Sequence, residues 1–386
     1  MDHGGARCGA PPHPDHISSG CSHIRNIESG TVKSASTASS LPRTPLSLEL
    51  PQPYLLFLGD VTEPGYAKTA FGLRDWARER CVGELSCGGP GAVSVGLPPL
   101  TPAEARAMGA RSLLIGVANV GGRIVDSWIP SLVSALEAGL DIVSGMHARL
   151  EQTPALKSAA ERYKRRLIDV RVPPPNIPIA TGRRRTGKRL LAVGTDCALG
   201  KKYTALAIAR GFVARGIDAD FRATGQTGIM IAGSGMPMDA VVADFEAGAA
   251  ELLSPDAAPD HWDVIEGQGS LFHPAYAGVS LGLLHGSQPD VVVVCHQPGR
   301  TMVLGHPGYA LPSIEETIDL NVRLGGRTNP AIRCGGVSLN TAHLSEAEAR
   351  RLLAAESARL KLPVADPMRG GEEFERLLDN CLRETV

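Results

Sequence analysis

The chain has 386 residues, 43% of them apolar, and a formal net charge of −1. That length gives room for two domains with separate cores, and the charge balance excludes a nucleic-acid binder that works through a broad basic field. The eight cysteines show no repeated short spacing, which points to reduced thiols rather than a disulfide framework. Apolar runs are strand-sized, as in VVVVC (291–295), and too short to span a bilayer. The start has no basic-then-apolar pattern, so the expected location is cytoplasmic.

Residues 1–50 contain no Phe, Tyr or Trp and are rich in Gly, Pro, Ser, Thr and His. Such a segment cannot bury enough apolar surface to offset its ordering entropy and reads as a disordered extension. Cys8, His13, His16, Cys21 and His23 fall within it without a zinc-type spacing. Order is expected from YLLFLGD (54–60), an apolar strand closed by Gly-Asp. LTPAEARAMGA (100–110) reads as a helix opened by Thr101 and Pro102 with Glu104 in capping position. SLLIGVANVGG (112–122) is a strand running into a glycine turn, WIPSLVSALEAG (128–139) a helix and LDIVSG (140–145) a strand. Such alternation predicts a parallel sheet covered by helices. A Pro-, Gly- and Arg-rich linker follows, and KRLLAVG (188–194) opens a second α/β unit. The later strands of that unit are expected in DADFRATG, HWDVIEGQG, PDVVVVCHQPG and AIRCGGVSLN. The expected division is an extension over 1–50, a first domain over 51–172, a linker over 173–187 and a second domain over 188–386.

The segment GTDCALGK (194–201) lies between a strand and a helix-forming stretch. A strand that turns into a helix leaves the first helical N–H groups unpaired, and glycines let backbone wrap an anion there. The candidate phosphate-binding set is Gly194, Thr195, Asp196, Cys197, Gly200, Lys201, Lys202 and Thr204. Phosphoryl transfer needs magnesium held by Ser or Thr directly after the lysine. Lys202 stands there instead, and Thr204 falls on another helical face, so a phosphate-bearing ligand that needs no metal is expected. Cys197 at the helix start is either a reactive thiol or packing beneath the loop.

Other groups end strands that should converge on the same crevice. Glu266, closing DVIEG, and His273 are the candidate catalytic pair. Thr224, Gln226 and Thr227, around two glycines in FRATGQTGIM, suit ligand contact. Arg222 and Arg300 are candidate carboxylate or phosphate clamps. Asp239 and Asp244 fall on different helical faces, so at most one is functional. The run Arg183, Arg184, Arg185, Lys188 and Arg189 reads as a solvated linker face, with a terminal phosphate as its alternative ligand. Asp60, Lys68 and Thr69 suggest a facing wall contributed by the first domain.

GTDCALGKKYT, FRATGQTGIMIAG, DAVVADF, HWDVIEGQGSLFHP and CHQPGR together resemble the D-glutamate N-acetyltransferase family, from about residue 54 to near the end. The resemblance implies a Rossmann-like N-terminal domain and a P-loop NTPase-like C-terminal domain. It also implies acetyl transfer from acetyl-CoA to the amine of D-glutamate or a similar amino acid. One departure is Lys202, where methionine is expected. On this reading the loop holds the CoA diphosphate, Glu266 or His273 removes the amine proton, and loop N–H groups stabilise the oxyanion. The expected partners are a small amino acid and acetyl-CoA, with no metal, nucleic acid or membrane; a homo-oligomer is compatible with it. Two alternatives stay open: a magnesium-ATP ligase or kinase of the dethiobiotin-synthetase type, using Asp196 and Glu266 on the metal, and a non-catalytic nucleotide-binding regulator.

Overall fold

A computed structural model describes residues 48–119 and 121–383. The thirteen strands are β1 Leu48–Glu49, β2 Tyr54–Gly59, β3 Cys81–Ser86, β4 Ser112–Ile115, β5 Asp141–Ser144, β6 Leu167–Asp169, β7 Lys188–Gly194, β8 Ala219–Arg222, β9 Ser234–Gly235, β10 Trp262–Ile265, β11 Val291–His296, β12 Arg333–Leu339 and β13 Val364–Ala365. The first five-stranded sheet has the order β3-β2-β4-β5-β6, and the six-stranded one β13-β12-β11-β7-β10-β8. Every pair in both sheets is parallel. Near-continuous apolar runs are what such doubly covered strands need; β2 and β4 are buried along their whole length. The architecture is the α/β pair of parallel-sheet domains that the alternation predicts.

Local signals hold where they are strongest. Thr101 and Glu104 form the expected capping box at the helix Pro102–Ala107, satisfying N–H groups that would otherwise lack partners. DAVVADF differs: it forms two short 3-10 turns, Met238–Ala240 and Ala243–Phe245, and Asp239 is ion-paired with Arg171. The predicted extension is also shorter than 1–50. Leu48–Glu49 pairs antiparallel with β9 and Leu50 is buried; the rest of that segment, with Cys8, His13, His16, Cys21 and His23, lies outside the described residues.

The linker arginines depart from expectation too. Arg185 and Arg189 are buried; Arg185 is drawn in by carbonyls at helix ends, which have no intrahelical donors, and Arg189 mainly by carbonyls of its own linker. Arg185 donates to the carbonyls of Ser254, Gly286 and Ser287, and Arg189 to those of Thr186 and Pro255. Arg183 and Arg184 pair with Asp256 and Asp290.

The sheets meet through the helix Gln226–Ala232. It follows β8 in the chain, yet Ile229, Met230 and Ile231 pack into the hydrophobic core of the first sheet. Arg80 donates to the carbonyls of Ile231 and Ala232 at its far end. Beside it Trp76 stacks on Tyr203 with ring centroids 5.9 Å apart, and Arg210 lies over the Trp76 ring. Among the described residues no helix is long and apolar enough to cross a membrane.

Since Met230 belongs to the second sheet by sequence and to the first by packing, Met230→Ala should cost about 2–5 kcal/mol. Urea unfolding followed by tryptophan fluorescence should show one transition at a lower midpoint. An unchanged midpoint would mean that the helix does not tie the two sheets together.

Candidate functional site

The strands of the second sheet deliver their C-terminal ends to a cleft of about 620 Å³, which the start of a first-domain helix also lines. Its floor is the turn after β7. Ala198 has φ 54° and Gly200 φ 106°, left-handed values that curl the backbone into a concavity before the helix Lys201–Ala214. No side chain caps that helix, so its first N–H groups are available to an anion. Lys201 is buried, and its ammonium donates to the carbonyl of Asp196 at 2.7 Å. Lys202 lines the cleft rather than facing solvent. Burial holds both lysines below their usual range, against the pull of Glu266.

Glu266, directly after β10, is buried in the same cleft. One carboxylate oxygen accepts the N–H groups of Thr224 and Gly225 at 3.0 and 3.1 Å. The Thr224 hydroxyl donates to the Glu266 carbonyl at 2.7 Å and accepts from the Gln268 amide at 2.8 Å. Space for the carboxylate exists only because residue 228 is glycine: a Cβ there would lie 2.1 Å from Glu266 Oε2. Burial pushes the carboxyl above its ordinary value near 4.5, against Lys202, the two amides and Lys201. A raised carboxyl beside lowered lysines is the environment of a proton-transfer group.

Of the other loop residues, Cys197 and Gly200 line the cleft, but Asp196 turns inward. Its carboxylate accepts from the N–H groups of Cys197 and Leu304 and from Arg300 at 2.7, 2.8 and 3.1 Å. Thr195 bonds to His296 at 3.0 Å, and Gly194 sits in register with Cys295 at the end of β7. The Thr204 hydroxyl meets the Ser338 hydroxyl at 2.8 Å; it joins the helix to β12 and lines a smaller neighbouring pocket. Burial pushes the Cys197 thiol up despite Lys201, which removes the basis for a reactive thiolate.

Three expected site residues are spent elsewhere. Arg222 Nε donates to Asp263 at 2.5 Å and its Nη2 reaches Asp220 at 3.2 Å. Both acids lie toward the N-terminal edge of the strands, so the guanidinium folds away from the cleft. Arg300 is divided among Asp196, the Cys197 carbonyl and Gln297. His273 is buried outside the cleft lining. Its Nδ1 accepts the N–H groups of Ala275 and Tyr276 at 3.0 and 3.2 Å. The other nitrogen of the neutral ring therefore carries the proton. Asp196, Cys197 and His273 do place three donor atoms within 4.8 Å of one another. That tautomer leaves the imidazole no lone pair to offer a metal or a substrate proton.

The first domain supplies the opposite wall. Lys68 and Thr69, at the start of the helix Lys68–Trp76, line the cleft. The Ala70 N–H donates to the Gly116 carbonyl, which anchors the helix between β2 and β4, where the strand order reverses and α/β sheets place their ligands. Thr69 meets Thr227 hydroxyl to hydroxyl at 3.2 Å. Asp60 does not take part; its carboxylate accepts from Trp128 Nε1 and Ser127, both at 2.8 Å. Thr224 stands behind Glu266, whereas Gln226 and Thr227 line the cleft directly. Gln268, Tyr203 and Asn340, not singled out in the sequence, line it as well. Gln268 and Asn340 had a signal, since each lies just past the C-terminal end of a parallel strand.

A two-domain α/β protein with an uncapped anion loop facing a buried carboxylate is therefore in hand. Residues 84–173 match the Rossmann-like domain, and 178–378 the P-loop domain, of the domain of unknown function DUF1611. Two D-glutamate N-acetyltransferases are similar to this chain. That of Tritonibacter scottomollicae is 52% identical over 83% of this chain and 96% of its own. That of a Pseudoalteromonas species is 47% identical over 84% and 97%. The crystal structure of a DUF1611 family protein from Anabaena variabilis superposes with a TM-score of 0.74 at 32% identity, covering 86% of this chain and 99% of that one. The chain belongs to the DUF1611 family, and it is an enzyme of the acyltransferase class, an N-acetyltransferase.

Glu266 also makes a stability prediction. A carboxyl raised in the fold contributes stability that is complete below its unfolded value and lost as pH rises through its folded one. Glu266→Gln, which keeps an acceptor for the two amides, should escape that loss. Its Tm should exceed that of the wild type at about pH 8 and approach it near pH 5. Equal melting curves at both ends would show that burial places no strain on this carboxyl.

Proposed function

We propose that this chain transfers acetyl from acetyl-CoA to the amino group of D-glutamate or a similar amino acid. The observation that carries the reading is Lys202 facing Glu266 in the cleft. Where a phosphoryl-transfer loop would present a magnesium hydroxyl, this loop presents a second ammonium. Phosphates can be neutralised there by Lys201 and the helix N–H groups without a divalent ion, while the Lys202 ammonium disfavours such an ion by like-charge repulsion. The names of the D-glutamate N-acetyltransferase relatives support the acceptor.

In this reading the CoA diphosphate lies on the turn 197–202, with the thioester toward Glu266. An amino acid's ammonium must lose a proton before its nitrogen can attack. Glu266 takes it, since its raised carboxyl narrows the proton-affinity gap with the amine. The C–N bond forms at the acetyl carbonyl, and backbone N–H groups of the glycine-rich turns hold the oxyanion. Collapse breaks the C–S bond, and the second proton shed by the new amide nitrogen goes to the departing CoA thiolate. The magnesium-ATP alternative places Asp196 and Glu266 on the metal, and Asp196 is already committed. Both of its carboxylate oxygens already serve the Cys197 and Leu304 amides and Arg300, which disfavours it.

Calorimetry with CoA and with Mg-ATP, side by side, tests the donor. CoA should bind without added metal, and Lys201→Ala should raise the KM for acetyl-CoA at least about tenfold, the scale of one charge-assisted hydrogen bond. Glu266→Gln should lower kcat by about 10²–10⁴ with little change in CoA affinity. Binding of Mg-ATP but not CoA, or full turnover by the Gln variant, would remove the reading.

A further inference from the structure

An acidic amino acid brings two carboxylates that need cations, and the arginines expected to supply them are committed. Arg222 serves Asp263 and Asp220, Arg300 serves Asp196, and the Lys201 ammonium is held by the Asp196 carbonyl. The remaining cations on the cleft wall are Lys68 and Lys202. Among the described residues no carboxylate stands within ion-pair distance of either. They come from different domains and line one cavity, whose lining among the described residues holds a single carboxylate, Glu266.

We propose that Lys68 and Lys202 form a two-lysine clamp for the acceptor's carboxylates, making the enzyme selective for amino dicarboxylates over neutral amino acids. The proposal rests on the acetyl-transfer reading and adds the residues that choose the acceptor. An α-amino acid presents an ammonium and a carboxylate on one carbon, the complement of a neighbouring carboxylate and ammonium. Lys202 and Glu266 line the same cleft beyond ion-pair distance of each other, which leaves room between them for the acceptor's ammonium and carboxylate. With the amine at Glu266 and the α-carboxylate at Lys202, the side chain extends toward the opposite wall. Lys68 lines the cleft there, on the first residue of its helix. Thr69 bonded to Thr227 holds this helix against the one that carries Gln226, which fixes the span between the lysines. Selectivity thus depends on the domain junction, because neither domain holds both cations.

The test is steady-state kinetics with D-glutamate and D-glutamine, a neutral near-isostere. Lys68→Met should raise the KM for glutamate about 10–100-fold, the scale of a charge-assisted hydrogen bond, with a much smaller rise for glutamine. Lys68→Arg should keep the preference for glutamate, and Lys202→Met should weaken both acceptors alike, since both carry the α-carboxylate. An unaltered glutamate-to-glutamine ratio of kcat/KM in Lys68→Met would overturn the clamp, as would equal losses on both acceptors. CoA calorimetry on the same samples separates the two proposals. If the wild type fails to bind CoA or to acetylate either amino acid, the transfer reading falls and the clamp with it. If CoA binds and acetyl moves with an unchanged ratio, the clamp alone falls.

Discussion

The helix Gln226–Ala232 packs into a core that its own sheet does not own, and the cleft depends on this. Ile229, Met230 and Ile231 are buried among first-domain residues, while the start of the same helix builds the second domain's site. The Gly225 amide, just before it, helps hold Glu266; Thr227 bonds Thr69; Gly228 leaves room for the carboxylate. One short element therefore joins the two walls and fixes the position of the Glu266 carboxylate. Displacing it would disturb packing and chemistry together, because both are anchored on consecutive turns of one helix.

Burying three ammonium groups or carboxylates close together is costly, since each loses hydration that only partners can replace. Here the replacements are unequal. Lys201 has a carbonyl, Glu266 two amides, while Lys202 has the face of Tyr203, its ammonium 4.4 Å from the ring centroid. A cation satisfied mainly by an aromatic face and a distant carboxylate has capacity left for an anion. Active sites commonly hold groups that the fold alone would not choose, and the cleft's charged lining fits that pattern.

Much of this was legible before any coordinates. Parallel strands announce themselves as apolar runs closed by Gly or acid, and Thr101 with Glu104 marks a helix start on local grounds alone. Glu266 and the turn after Gly194 could be placed because parallel sheets collect strand ends on one edge. The arginines were not legible. Arg222 ends a strand as Glu266 does, but its partner Asp263 lies on the neighbouring strand, a relation set by register. Arg185 looked solvated, although helix ends distant in sequence supply its carbonyls. His273 had the right residue type in the right loop; only its hydrogen bonds reveal which nitrogen carries the proton. Charge type is written in sequence, whereas the acid or carbonyl that consumes the charge is decided by packing.

Lys202 shows how a substitution can redirect a loop without remaking it. The uncapped helix and left-handed turn still offer N–H groups to phosphate whether or not a metal follows. Replacing the metal's hydroxyl ligand by an ammonium installs a fixed charge near the site a divalent ion would take, which disfavours the ion by like-charge repulsion. Thr204, the nearest aliphatic hydroxyl further along the helix, cannot restore the lost ligand while it is bonded to Ser338. The same ammonium lies close enough to Glu266 to be the strongest influence opposing its burial. A change that weakens one chemistry therefore also shapes the carboxyl on which another can depend.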